Sequence, residues 1–364
     1  MKFVLYTNSV SAHQLPLARE LVRLMGAENF RYVYAAESAK GNQRVSANEP
    51  WIMRAEGARK LLEDAEVMLV GGVRPLDLLE RRLKAGRLTL FMSERWFKPV
   101  TLLNVRWNGL LHQLTLPGWV RLFYPRFFRM ARRFVRLFRS EHFRYLPIGP
   151  WSDRDMRLLC RIFGVTIQPP QIIPWGDFVE PSKFDVDGGT SSTSPEGAES
   201  NNLNNPNNRT ILRLLWVGRF LDWKRVDTLI AAVRQVENVT LDLYGAGPEE
   251  AWLRKISKGC SRIRFFPPVP IEQVRGIMRE HDLYVLPSSA YEGWGCVVNE
   301  ALEEGMRVLG THEAGASAAI LPHSNLFSCG DWRRLAELLA TGAPAVSIEK
   351  WTAKAAAVRL REML

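Results

Sequence analysis

Three short segments in the second half of the chain combine glycines, cations and carboxylates in patterns that suit a phosphorylated ligand. In the last of them the apolar run Leu283 to Pro287 reads as a strand, Glu292-Gly293-Trp294-Gly295 as a tight turn and Cys296 to Glu304 as a helix. A helix start carries free N–H groups and partial positive charge, so a phosphate placed there is stabilised. Glycines let the backbone approach a ligand closely, and Glu292 and Glu300, on either side of the turn, can accept hydrogen bonds from sugar or ribose hydroxyls. In the first segment, Val217 to Arg225, a strand ends at Gly218 and is followed by Arg219, Lys224 and Arg225, cations suited to neutralising a departing diphosphate. Between these two lies Tyr244-Gly245-Ala246-Gly247-Pro248-Glu249, paired glycines with a helix expected from Pro248.

These turns need strands to carry them. Short apolar runs at Leu212–Val217, Val239–Tyr244, Ile263–Phe266 and Leu283–Leu286 alternate with stretches of helical periodicity. The same rhythm fills the first ninety residues, with runs at Phe3–Tyr6, Tyr32–Ala35, Val67–Val70 and Leu88–Phe91 and a helix over Leu15–Met25. Strand and helix in alternation predict parallel sheets, and ligands bind such sheets at the carboxyl ends of the strands. The expected fold is α/β, with two Rossmann-like domains facing a cleft. The N-terminal domain spans residues 1–180 and the C-terminal, donor-binding domain 210–345. Residues 181–209, rich in Gly, Ser and Asn, read as a disordered insertion. A C-terminal helix over 346–364 can cross back onto the first domain.

The 364 residues are enough for two such cores, and 46% hydrophobic with 24% charged residues is a globular composition. A net charge of +11 favours anionic partners: nucleic acid, phosphates or acidic membranes. Cys160, Cys260, Cys296 and Cys329 show neither disulfide nor zinc spacing, which points to a reducing cytoplasm. No stretch approaches the ~20 apolar residues of a spanning helix, and Met1 to Val10 lack the apolar core of a signal peptide. Two Asp-x-Asp sequences raise the possibility of a metal site. Asp153-Arg154-Asp155 reads as a helix start and Asp185-Val186-Asp187 opens the insertion, so no metal ligand is assigned.

The order Gly218-Arg219-x4-Lys224, Gly245-x-Gly247-Pro248-Glu249, then Pro287-Ser288 and Glu292-Gly293-Trp294-Gly295 with Glu300 eight residues after Glu292, resembles family 4 glycosyltransferases of the GT-B fold over about residues 211–328. More loosely, His13-Gln14-Leu15-Pro16-Leu17-Ala18 and Ser93-Glu94-Arg95-Trp96-Phe97-Lys98 are similar to bacterial surface and capsular polysaccharide members. The resemblance implies a retaining enzyme that takes a sugar from a nucleotide-diphosphate donor by a front-face displacement, without a bound metal or a tightly held cofactor. It further implies that Arg219 and Lys224 hold the diphosphate, that Glu292 contacts the donor sugar and Glu300 the ribose, and that the backbone of Gly293, Trp294, Gly295 and Cys296 meets sugar and diphosphate. Gly218, Gly245 and Gly247 complete the phosphate-facing turns, and Val269 lies in the base-binding segment. There the chain reads Phe266-Pro267-Pro268-Val269 in place of the family's frequent glycine.

On the acceptor side, His13 either orients a substrate or bonds to backbone at a helix start. Glu94, beside Arg95 and Lys98, either binds an acceptor hydroxyl or forms a structural ion pair. From Trp119 to Arg144 there are eight Arg, six Phe and one acid, Glu141. On a helical wheel Phe127, Phe134 and Phe138 share one half and Arg126, Arg129, Arg133 and Arg136 the other. The expectation is a helix over 119–144 lying on an anionic membrane surface, peripheral to the inner face of the cytoplasmic membrane and serving a lipid-linked saccharide acceptor. A nucleotide-sugar epimerase of the same shape, or a nucleic-acid-binding protein without enzymatic activity, are the alternatives.

Overall fold

A computed structural model describes residues 2–36, 49–181, 211–342, 344–346 and 351–363. The expected insertion at 181–209, with Asp185 and Asp187, falls almost entirely outside them. The chain divides into two compact units. One comprises Met1–Leu103, Leu114–Val179 and Glu349–Leu364; the other comprises Asn104–Gln113 and Glu180–Ile348.

Unit 1 is built on a six-stranded sheet of β1 (Phe3–Thr7), β2 (Phe30–Tyr34), β3 (Ile52–Arg54), β4 (Val67–Gly71), β5 (Leu88–Ser93) and β8 (Phe143–Pro147), in the order β3-β2-β1-β4-β5-β8. Every pairing is parallel. Its helices are α1 (Leu15–Met25), α2 (Arg59–Asp64), α3 (Leu76–Lys84), α4 (Pro125–Val135) and α5 (Pro150–Ile162). A separate antiparallel-type hairpin of β6 (Val100–Trp107) and β7 (Leu110–Leu116) forms its own two-stranded sheet. Sequence periodicity did not foretell it, since Leu102-Leu103 and Leu110-Leu111 interrupt the alternation.

Unit 2 repeats the plan. Strands β9 (Leu212–Arg219), β10 (Val239–Ala246), β11 (Ile263–Phe266), β12 (Leu283–Leu286), β13 (Arg307–Thr311) and β14 (Leu326–Phe327) lie in the order β11-β10-β9-β12-β13-β14, again all parallel. They are covered by α6 (Val226–Val233), α7 (Glu250–Ser257), α8 (Ile271–Arg279), α9 (Val297–Glu303), α10 (Gly315–Ile320) and α11 (Trp332–Thr341). The last helix, α12 (Ala353–Arg361), groups with unit 1 and packs on α1. Thr352 caps it by accepting from Ala355 N at 3.1 Å, and its buried alanines, Ala353, Ala356 and Ala357, allow a close helix–helix approach. Both sheets show the doubly wound order, whose direction reverses beside the central strand.

The long helix expected over 119–144 is in fact three pieces. A 3₁₀ segment (Gly118–Phe123) ends before Pro125, which starts α4; a second 3₁₀ segment (Arg136–Arg139) follows, and β8 begins at Phe143. The aromatic stripe faces inward. Phe134 and Phe138 are buried, with Phe134 4.8 Å from both Phe91 and Trp96 and Phe138 5.0 Å from Phe143, centroid to centroid. Phe127 is half-buried against Trp96 and Phe97. Arg133 pairs with Asp77 and Glu80 of α3. The assignment of Phe127, Phe134, Phe138 and Arg133 to a membrane-facing surface is therefore corrected: a parallel sheet must be covered on its faces, Phe134 and Phe138 cover β5 and β8, Phe127 packs on the loop after β5, and Arg133 is tied to α3.

Arg82 of α3 is a buried tie within unit 1. Its guanidinium donates to Leu62 O (2.8 Å), Glu63 O (3.1 Å), Leu88 O (3.0 Å) and Thr89 Oγ1 (3.2 Å), joining α2, α3 and β5. Arg82→Met keeps the stem but removes four hydrogen bonds, two of them buried and two part-buried, and we expect a loss of about 3 kcal/mol. The urea midpoint of the variant tests this; an unchanged midpoint refutes it.

Candidate functional site

In unit 2 the neighbouring strands β10, β9 and β12 release three loops from their carboxyl ends, and the loops are tied to one another. Phe220 N donates to Ala246 O (3.0 Å), Glu249 N to Phe220 O (3.1 Å) and Ser289 N to Trp223 O (2.8 Å). Glycines make this closeness possible. A Cβ on Gly245 would lie 1.9 Å from Gly218 O, and one on Gly247 2.4 Å from Phe220 O. The sequence suggested that these two glycines admit a ligand; their steric reason here is the backbone of the loop after β9.

At the centre is a pair of opposite charges. Lys224 Nζ lies 2.5 Å from Glu292 Oε2, which also accepts from Ser288 Oγ at 2.8 Å, and 4.5 Å from the Trp223 ring centroid. Glu292 is only 7% exposed. Desolvation offsets much of the attraction in such a pair, so its value is positional more than stabilising. Ser288 O in turn accepts from the buried Thr311 Oγ1 at 2.5 Å. Arg219, at the end of β9, is exposed, with no side-chain partner among the described residues. Lys224 and Arg219 thus offer a half-engaged ammonium and a free guanidinium on one loop, suited to an anion.

The turn after Glu292 is braced from behind. Gly293 O accepts from Gly315 N (3.2 Å) and Trp294 O from Ala316 N (2.8 Å), and Gly295 takes a φ of 91°. Trp294 is buried and donates its indole N–H to Asn299 Oδ1 at 2.8 Å, so its ring braces the turn. Cys296, buried, leads into α9, which starts at Val297. Glu300 is half-buried; burial raises its pKa, with Arg275 pulling it down and Glu304 adding to the rise. Glu304 sits between Arg275 (3.2 Å) and Arg279 (2.6 Å). Val269 is half-buried in the loop after β11, where Tyr244 and Phe266 stack with centroids 4.5 Å apart and planes 11° apart.

Unit 1 holds a separate cavity of about 650 Å³, lined by Asn8, Gly72, Arg74, Ser93, Glu94, Arg95, Lys98, Arg121 and Asp177, among others. Glu94 Oε2 is 2.7 Å from Lys98 Nζ. Arg95 is engaged by Asp155 at 3.7 Å and by the Trp151 ring at 5.5 Å. Asp155, read from sequence as part of a helix start, is buried within α5 and accepts from Phe97 N at 2.8 Å. His13 precedes α1; its N–H donates to Ser11 Oγ (3.2 Å), its carbonyl accepts from Phe178 N (3.4 Å), and burial lowers its pKa. Its neighbour Gln14, not His13, lines the cavity.

Sequence reasoning missed Asp177. Its Oδ1 accepts from Gln14 Nε2 at 3.0 Å, and burial, with Glu94's charge adding and Gln14 opposing, pushes its carboxyl up to about 7. The signal available was a lone acid between Trp175 and Phe178, both fully buried. Since an aspartate in an unfolded chain titrates near about 4, the folded state holds this proton more tightly. Asp177 therefore contributes stability that is full below about pH 4 and lost as the pH rises through about 7. Asp177→Asn should flatten this fall in the urea midpoint between pH 5 and pH 8; an identical pH slope in both proteins would show that the group is not Asp177. Among the described residues no cluster of three His, Cys, Asp or Glu is placed to hold a metal ion.

Known proteins fit this geometry. Residues 212–342 match the family described as glycosyl transferases group 1. The GtfA subunit of UDP-N-acetylglucosamine–peptide N-acetylglucosaminyltransferase from Streptococcus pneumoniae is 25% identical over 122 residues, 32% of this chain and 24% of that protein, so the chain spans about a quarter of this relative's length. Anabaena HepE, solved with UDP and glucose, superposes with a TM-score of 0.58 at 13% identity, covering 100% of this chain and 99% of its own. WaaG, a glycosyltransferase involved in lipopolysaccharide biosynthesis, superposes with a TM-score of 0.52 at 15% identity, covering 98% and 93%. Likeness at such identity is likeness of fold. Residues 212–342 thus carry the match to the glycosyl transferases group 1, and the fold, a doubly wound parallel sheet in each unit, is that of the GT-B structures.

Proposed function

We propose that this chain transfers a sugar, with retention at the anomeric carbon, from a nucleotide-diphosphate sugar held by unit 2 to a hydroxyl of a lipid-linked saccharide, in assembly of a surface polysaccharide. The observation that carries the reading is the Lys224–Glu292 contact beside the unpartnered Arg219, on loops from adjacent strand ends. Arg219 and Lys224 take up the charge of the departing diphosphate, which is the work a metal does in other transferases. Glu292, freed in part from Lys224 when the anion arrives, accepts a hydroxyl of the donor sugar. Glu300 accepts the ribose hydroxyls, and the backbone of Gly293 to Cys296 lies along sugar and diphosphate. Val269 and the Tyr244–Phe266 stack border the base.

In the proposed step the acceptor oxygen bonds to the anomeric carbon on the face that the diphosphate leaves. The carbon–oxygen bond to the diphosphate breaks, and the acceptor's proton passes to the departing phosphate oxygen. The acceptor occupies the cavity of unit 1, with its hydroxyls on Glu94 and Asp177 and its anionic part toward Arg74, Arg95 and Arg121. The reaction belongs to the cytoplasmic face of a membrane; among the described residues no helix is long and apolar enough to cross one.

Removing one charge-stabilising donor from such a site typically lowers turnover about 10²- to 10³-fold. We expect losses of that order for Lys224→Met and Glu292→Gln, measured as donor consumption with and without acceptor, while far-UV circular dichroism stays unchanged. Wild-type-like turnover in both would sink the site. Thermal stabilisation across a panel of nucleotide sugars identifies the donor, since a ligand bound only by the folded state raises the melting temperature.

A further inference from the structure

We propose that, within unit 1, the base of the β6–β7 hairpin (Leu103, Leu114 and Leu116) and the 3₁₀ segment after it form an anchor that seats this protein in the interface of an anionic lipid bilayer. The proposal deepens the reading of a lipid-linked acceptor by naming the element that meets the membrane, and it differs from the sequence expectation, which gave that role to the Phe stripe of α4.

The exposed apolar side chains are not scattered. Of the thirteen large ones exposed among the described residues, ten lie between Leu102 and Phe128. The hairpin turns at Asn108 and Gly109, both at positive φ (49° and 77°), and a two-residue turn of this kind sets Trp107 opposite Leu110 and so Leu103 opposite Leu114. One face of the ribbon is occupied. Asn104 donates to Asp222 at 2.8 Å, Arg106 pairs with Glu249, and Leu111 N donates to Asp227 at 2.8 Å. The other face carries, in unit 1, Leu103 on one strand and Leu114 and Leu116 on the other, 54%, 60% and 39% exposed. A ribbon meant for water carries polar side chains on its free face.

The apolar surface continues along the chain. Gly118 is pinned against unit 1, where a Cβ would meet Phe97 O at 2.2 Å, and from it the 3₁₀ segment presents Trp119 (47% exposed) and Phe123 (79%), followed by Tyr124. These are rings with an apolar body, two of them with a polar tip, the composition of a membrane interface.

Charge selects the occupant. From Arg95 to Ser140 there is no Asp or Glu, against ten Arg and Lys. On α4, Arg126, Arg129 and Arg132 are exposed. An ordinary aqueous surface intersperses both signs; here anionic headgroups supply the missing one, while the leucines and rings enter the acyl boundary. A second copy of this chain would bring the same acid-free arginines face to face, and a nucleic acid would leave the Leu ribbon in water.

The test uses the full chain with vesicles of phosphatidylcholine alone or with about one-third phosphatidylglycerol, separated by flotation without donor or acceptor, so that membrane binding and sugar transfer are read independently. We expect binding to the anionic vesicles only, weakened at least about tenfold by Leu114→Glu with Phe123→Glu and also weakened by Arg129→Glu with Arg132→Glu. Thermal unfolding of both variants should match the wild type. Wild-type protein that stays unbound overturns the proposal, as does a Leu114→Glu, Phe123→Glu variant that still floats. A wild-type dimer in light scattering that this variant dissociates would instead make the patch a self-association surface and likewise overturn it.

Discussion

A parallel sheet has no face to give to water, and much of this molecule follows from that. Both sheets are parallel throughout, so each needs apolar helices on its two sides. In unit 1 the requirement draws in Phe134 and Phe138 and fixes α4 by the Arg133 pair with Asp77 and Glu80. The same requirement explains why a stripe of phenylalanines opposite arginines is a core feature here. The β6–β7 ribbon stands outside both sheets and is exempt from the rule. Several of its apolar side chains, Leu103, Leu114 and Leu116 among them, are left exposed.

The parallel arrangement also decides where chemistry can occur. Strands that all run one way release their loops at one edge, and β10, β9 and β12 are neighbours there, although their segments are far apart in sequence. Packing alone does not hold Lys224 against Glu292. Hydrogen bonds between the loops, from Phe220 to Ala246 and from Ser289 to Trp223, place the two side chains before charge acts. The ion pair then holds a nearly buried carboxylate and an ammonium in register, and its value is positional, since desolvation offsets much of the attraction.

The strands were legible in sequence because buried parallel strands must be short apolar runs: Val67–Gly71 and Leu283–Leu286 contain nothing else. The helix over Leu15–Met25 was equally plain, with apolar and polar faces cleanly divided. The end of the Arg-rich segment was not, since Pro125 and the strand at Phe143 interrupt a pattern that continues on a wheel. The hairpin had readable signs, Asn108-Gly109 between apolar residues and the alternation from Leu103 to Trp107, but Leu102-Leu103 and Leu110-Leu111 interrupt the pattern. On the candidate donor side, residues within each loop were legible, and the contact between Lys224 and Glu292 was not, because no local rule joins residues 68 positions apart. Asp177 was illegible for the same reason: it gains meaning only beside Gln14, 163 positions away.

The glycines of the β10 loop bear on how such a scaffold could be altered. Gly245 and Gly247 rest directly on the backbone after β9, with no room for even a methyl group. Those two loops behave as one fused block, unable to accept insertions or larger side chains without moving each other. Variation that leaves those loops in place has to be written elsewhere, and the stretch after β11, Pro267-Pro268-Val269, is open on its surface and free of that lock. For the nucleotide-sugar site proposed above, an engineer would leave the glycines alone and randomise the prolines' neighbourhood first.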